Sequence, residues 1–264
     1  MIVLALITGG WLAGIGLNWL ADSLPPDETG LTPPLRRPHC SDCGHALPWW
    51  QWSALARLIA LGSRCEACGA AQTWRPLAVE LGATGAAVGV WWWAGGAWGQ
   101  WWPAALFISL AILVAVIDLE HLQILRVVML PAALVLGAIS ALSPERGWGS
   151  TLLGGLAGYG LVYAIYLAGQ VFAAIQRRAR PTGDEDETPF GGGDVNLAGV
   201  LGLALGWPRI WPALVLGIFA GGVIASTYAL VQWARRRPIA SALPYGPSLL
   251  LGALLVYFSA GFRR

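Results

Sequence analysis

Apolar residues in this chain come in long unbroken runs rather than in strand-like alternation. They fill 1–20 and then, after a polar stretch over 21–75, recur at about 76–98, 103–118, 127–143, 150–175, 195–206, 212–233 and 246–261. Runs of this kind match helices that cross a hydrocarbon core of roughly 30 Å, where the backbone must satisfy its own hydrogen bonds. The pattern predicts an all-α polytopic membrane protein with about eight transmembrane helices. The expected organisation is a first transmembrane helix over 1–20, a small domain over 21–75 and a membrane domain of about seven helices over 76–264. The opening run has no basic flank and no convincing cleavage site before Asp22, so it is expected to be retained. An even number of spans would put both termini on one side.

The run 195–206 is short. At roughly 1.5 Å per residue it covers about 18 Å, well under the bilayer core. It must be a half-length helix, thin the membrane locally, or continue through Trp207-Pro208. Beside the glycine run that precedes it, a short helix also favours a water-filled polar cleft, because irregular backbone at membrane depth needs protein or water partners.

Composition agrees. Hydrophobic residues make up 56% of the 264 positions and charged residues 11%, with mean hydropathy +0.61. The net charge of +2 is too small to argue for a nucleic-acid partner, and the arginines are scattered over loops. Their scatter carries orientation. With the N-terminus outside, inner segments hold Arg36, Arg37, Arg57, Arg64, Arg75, Arg126, Arg177, Arg178, Arg180 and Arg235–Arg237. Outer segments then hold Arg146, Arg209, Arg263 and Arg264. This bias favours an outside N-terminus and a cytoplasmic polar domain. The groups Trp91–Trp93, Trp98, Trp101, Trp102, Trp207 and Trp211 then fall near the outer interface as anchors.

Two acids interrupt this apolar chain at informative places. Asp118 ends the run Ala104–Ile117, and Asp194 follows Phe190-Gly191-Gly192-Gly193. A carboxylate at the edge of hydrocarbon is costly unless paired, hydrated or protonated, so such acids are functional candidates. Loop counting puts both at the cytoplasmic ends of their helices, which suggests an aspartic dyad. In such a dyad two carboxyl groups share one proton, one activating water as base and the other serving the scissile carbonyl as acid. Gly191, Gly192 and Gly193 would permit positive φ and the close approach of an extended peptide; alternatively they are a hinge. Glu120 and the acidic run Asp184–Glu187 could attract basic residues of a substrate, although a solvated loop is the plainer reading of that run. An alternative of another class is a non-enzymatic assembly factor or proton-coupled transporter using the same aspartates.

The only four cysteines form two C-x-x-C pairs, Cys40/Cys43 and Cys65/Cys68, each followed directly by a glycine. Each pair can offer two thiolates to one ion, and four thiolates suit tetrahedral structural Zn²⁺. The other reading is one or two redox dithiols. His39 and His45 flank the first pair as possible substitute ligands.

These features together resemble the type IV prepilin peptidases, GxGD-type aspartic proteases of bacterial inner membranes that remove leader peptides from prepilins and type II secretion pseudopilins. The resemblance runs through Gly14, Asn18 and Leu24-Pro25, both Cys pairs, His45, Leu47, Trp49-Trp50, Arg75-Pro76-Leu77 and Glu80. It continues through Ile117-Asp118-Leu119-Glu120-His121, Gly191-Gly192-Gly193-Asp194-Val195 with Leu197, and Pro244-Tyr245-Gly246-Pro247. It implies Asp118 and Asp194 as the catalytic pair and zinc on the four cysteines. It further implies prepilin substrates held beside membrane lipid, and N-methylation of the new terminus with S-adenosylmethionine. Glu80 and the stretch Trp49–Trp52 are candidates for that second activity, with Glu80 pairing to Arg75 as the alternative. A GxGD protease without the methyltransferase step is the other reading inside the enzyme class. The chain departs from the family pattern at Leu125-Arg126 and at Asn196, where a lysine is usual. Arg126, folded back toward the dyad, is a candidate to replace that charge.

Overall fold

The computed structural model describes residues 1–26, 37–40, 42–62, 64–71, 73–179, 191–237 and 243–259. Helices dominate them: α1 (Ile2–Ser23), α2 (Ala54–Leu61), α3 (Arg75–Trp93), α4 (Trp98–His121), α5 (Arg126–Leu142), α6 (Gly147–Ala179), α7 (Gly192–Leu205), α8 (Ile210–Ala234) and α9 (Gly246–Ser259). Every expected apolar run coincides with a helix. Four of them, α1, α4, α6 over Gly147–Phe172 and α8, are long and apolar enough to cross a membrane, whereas α5, α7 and α9 are shorter apolar helices.

The chain divides into two compact units, Met1–Val116 and Ile117–Arg264. In the first, α1 packs along α3. Glycines allow this closeness: a Cβ on Gly14 would lie 2.6 Å from the Glu80 Cα, and one on Gly10 would lie 2.8 Å from the Thr84 Cα. Small residues one turn apart let helix backbones approach in lipid, where apolar burial gives little drive to associate. Asn18 adds a bond from Nδ2 to the Pro76 carbonyl at 2.9 Å.

In the second unit α7 is the hub, packed by α5, α6, α8 and α9. Its side chains from Asp194 to Leu205 are almost all buried. The helix stops at Leu205, capped by Gly206 at φ +72°, so it does not run on through Trp207-Pro208. Its 14 residues give about 21 Å of length. A helix sheathed by other helices need not match the bilayer thickness. On α6, Gly154 and Gly158 meet α7 at Gly202 and Ala198, where an added Cβ would strike backbone carbonyl oxygens.

Candidate active site and metal centre

Asp118 lies in the last turn of α4, and Asp194 in the first turn of α7. They are 5% and 8% exposed. Each carboxylate takes one glycine N–H on Oδ2: Gly246 donates to Asp118 at 2.9 Å, and Gly191 donates to Asp194 at 2.9 Å. The second bond is a side chain in the first turn reaching back to the residue that caps its own helix. The first comes from a distant element, the start of α9. The two acids are close enough to interact electrostatically.

The glycine run does not use the positive φ expected of it. None of Gly191, Gly192 and Gly193 has positive φ. Gly191 is the extended cap of α7, and Gly193 is required by crowding, since a Cβ there would lie 2.8 Å from the Ile124 Cβ and 3.3 Å from its carbonyl oxygen. Arg126, the first residue of α5, is exposed, and so are Glu120 and His121 at the end of α4. The run Asp184–Glu187 and Phe190 lie outside the described residues. Ile124 and Gly246 carry geometry that sequence reasoning missed; the only signal was the Pro244-Tyr245-Gly246-Pro247 turn.

The first unit contains the second constellation. Two matching turns form around the cysteines: Cys40 N–H bonds the His45 carbonyl and Cys65 N–H the Ala70 carbonyl, both at 2.9 Å. Gly44 and Gly69 take φ of +70° and +72° to close them. Bridges His39–Ala46 and Arg64–Ala71 complete the pair. The four Sγ atoms lie within 4.8 Å of one another, with Cys40–Cys68 at 3.9 Å and Cys43–Cys65 at 3.8 Å. A tetrahedral ion with Zn–S near 2.3 Å needs sulfur–sulfur edges of about 3.8 Å. Electrostatics points the same way. The N–H groups of Cys68 and Ala67 lower the Cys65 thiol to about 6. Cys68 is pushed up to about 12: the Ala70 N–H favours its thiolate, but Cys43, desolvation, Cys65 and Cys40 together outweigh that bond. Four thiolates at this spacing need a cation, and the site fits one. Among the described residues neither histidine joins the cluster.

Glu80 is 1% exposed. Its oxygens accept the Ala54 N–H at 2.5 Å, the Leu55 N–H at 3.1 Å, the Ser53 hydroxyl at 2.9 Å and the Trp11 indole N–H at 3.1 Å. A carboxylate with about four acceptor sites is thereby filled. It caps α2, as a negative charge at a helix N-terminus should. It does not fit a ligand for S-adenosylmethionine. Arg75 instead pairs with Asp22 and reaches the Asn18 side chain.

Residues 105–226 match the model of the type IV leader peptidase family, and residues 8–94 match that of the bacterial peptidase A24 N-terminal domain. The chain is 31% identical to a prepilin leader peptidase/N-methyltransferase of Bacillus subtilis over 59% of its own length and 54% of that relative's. It is 27% identical to the protein of that name from Burkholderia pseudomallei, over 96% of its length and 77% of the relative's. The corresponding Pseudomonas aeruginosa protein is 27% identical over 89% and 78%. No solved structure matches the chain. The two family models take up the chain from residue 8 to residue 226 with one short gap, and the chain belongs to the type IV leader peptidase family.

Proposed function

We propose that this protein is an intramembrane aspartic endopeptidase of the bacterial inner membrane, which removes the leader from type IV prepilins and pseudopilins and then N-methylates the new terminus. The observation that carries the peptidase reading is the pair Asp118 and Asp194, buried in one unit and each held through one oxygen by a glycine N–H. A water between them would give its proton to one carboxylate as its oxygen attacks the scissile carbonyl carbon. The other, protonated carboxyl would give its proton to the carbonyl oxygen, forming a neutral gem-diol. Collapse of that diol breaks the C–N bond as the first carboxyl gives its proton to the leaving nitrogen and the second carboxylate takes a proton from a diol hydroxyl, which leaves a carboxylic acid and a free amine. Both dyad members return to sharing one proton.

Prepilins are apolar helices with a short basic leader, so their cleavage point lies at the cytoplasmic interface. That matches the depth expected of both aspartates with the N-terminus outside and the Cys module cytoplasmic. Zinc held by Cys40, Cys43, Cys65 and Cys68 would supply folding energy to a module with little core of its own. S-adenosylmethionine is the methyl donor this second activity requires, and Glu80 serves it only by fixing α2.

The test is co-expression with a prepilin and mass spectrometry of the product, for the natural chain, Asp118→Asn and Asp194→Asn. The natural chain should yield leaderless pilin with an added methyl group, and either variant should leave the leader attached. A leader retained on every prepilin offered to the natural, membrane-inserted chain sinks the reading.

A further inference from the structure

We propose that Gly246 and Ile124 are positioning residues of the peptidase site: they fix the Asp118 carboxylate and set its spacing from Asp194. The inference rests on the peptidase reading above.

Gly246 opens α9, and Pro247 follows it. A helix start leaves N–H groups without intrahelical partners, and proline there removes one of them at no cost. Ser248 N–H turns back to the Tyr245 carbonyl at 3.1 Å, which leaves the Gly246 N–H to Asp118. The donor is braced. The Tyr245 hydroxyl donates to the Ile218 carbonyl of α8 at 3.2 Å, and Leu249, Leu250 and Ala253 bury α9 in the bundle. A Cβ at position 246 would lie 2.7 Å from Asp118 Oδ2, 3.2 Å from its Cγ and 3.4 Å from the Ile124 Cδ1. Only glycine lets the N–H approach without displacing the acid.

Ile124 connects the two acids. A Cβ added at Gly246 would meet its Cδ1, and one added at Gly193, the residue before Asp194, would strike its Cβ and its backbone. Ile124 therefore stands between the residue that binds Asp118 and the one that carries Asp194. One oxygen of each acid is committed to a glycine N–H, which leaves the other for the reacting water.

Cleavage kinetics of the purified full chain with a prepilin substrate test this, using Gly246→Ala and Ile124→Ala, with Gly222→Ala, which has open space around it, as the neutral control. Displacing a reacting group by about 1 Å costs on the order of 10²-fold. Gly246→Ala should lose about that factor in kcat with KM within about twofold and thermal unfolding unchanged. Ile124→Ala should lose about tenfold in kcat with the same KM, since a loosened contact misplaces the acid less than a wedge does. Natural kcat in Gly246→Ala overturns the proposal. So does a loss that tracks thermal stability, as a purely structural role would give. If Gly246→Ala does not accumulate folded, Ile124→Ala decides alone, and natural kcat there overturns it. A natural chain inert on prepilin, by contrast, removes the peptidase reading itself.

Discussion

The Glu80 carboxylate of α3 lies 2.5 Å from the backbone nitrogen of Ala54, the first residue of α2. Through this contact the helix between the two Cys turns is fastened to α3, and the Trp11 indole fastens α1 to the same oxygen pair. Gln51, 1% exposed, extends the linkage with a 2.8 Å bond to Glu66, which lies between Cys65 and Cys68.

Glu80→Ala would strand buried N–H groups at the start of α2. Each unsatisfied donor costs about 1–3 kcal/mol, so a loss of about 3 kcal/mol for the variant is expected. The damage should be local: limited proteolysis should nick the segment between Arg37 and Arg75 faster, while helices of the second unit stay protected. Uniform acceleration of cleavage along the whole chain would show that Glu80 does something other than hold α2.

Metal removal should have a related but separable effect. The purified chain is expected to carry one Zn²⁺, with all four thiols slow to react with an alkylating reagent. Stripping it with a strong chelator should make the four react together and loosen the same segment, because structural zinc contributes folding energy directly. Protons compete with the metal for thiolates, so affinity should fall as the pH falls. Elemental analysis and mass spectrometry of alkylated protein check this, and four freely reactive thiols in untreated protein would count against a tetrathiolate centre.

These two features differ in how far the sequence reveals them. The Cys cluster was legible because chelation by C-x-x-C is local: a turn of four residues with glycine after it already aims two sulfurs at one point. The helices were legible for a similar reason, each being a continuous apolar run, so that 127–143 and 246–261 nearly coincide with Arg126–Leu142 and Gly246–Ser259. Glu80 gave no such sign, since its donors lie 25 to 27 and 69 positions away. Gly246 sits 128 positions from the acid it binds. Nor could composition show that Gly193 answers to Ile124 rather than to a turn. Periodicity reports which residues leave water; it is silent on which polar atoms meet once they have left.

The α6–α7 seam yields a sharper mutational contrast. Gly202 faces the Gly154 carbonyl so closely that even a methyl group must push the helices apart, whereas Gly160, on the same α6, has open space. Gly202→Ala should therefore destabilise by about 1–3 kcal/mol, the usual range for overpacking. Gly160→Ala should be neutral or slightly stabilising, because alanine is the better helix former. Thermal unfolding in detergent separates them. Equal melting temperatures would mean that the seam yields freely, and α7 would not be rigidly placed.

Arg146 works on the opposite end of α7 from Asp194. Its guanidinium donates through Nη1 to the Ala204 carbonyl at 2.7 Å and to the Ser140 hydroxyl at 3.3 Å, with Cζ 5.6 Å from the Tyr257 ring centre. Thr151 donates to the same Ser140 oxygen at 3.1 Å, tying α5 and α6 into the clamp. A cation there meets the negative end of the helix dipole and satisfies one of the carbonyls the helix leaves open. Arg146→Ala should cost about 2 kcal/mol, since a charged donor is lost and a buried carbonyl is exposed without a partner. Arg146→Lys should recover part of this, because a single ammonium can reach Ala204 or Ser140 but cannot reproduce the planar fork against Tyr257. If α7 is held by this clamp, prepilin cleavage should fall in the order natural chain, Lys, Ala, in step with thermal stability. That proportionality is the opposite of what Gly246→Ala should give, so measuring both series in one preparation separates a residue that holds the helix from one that holds the acid.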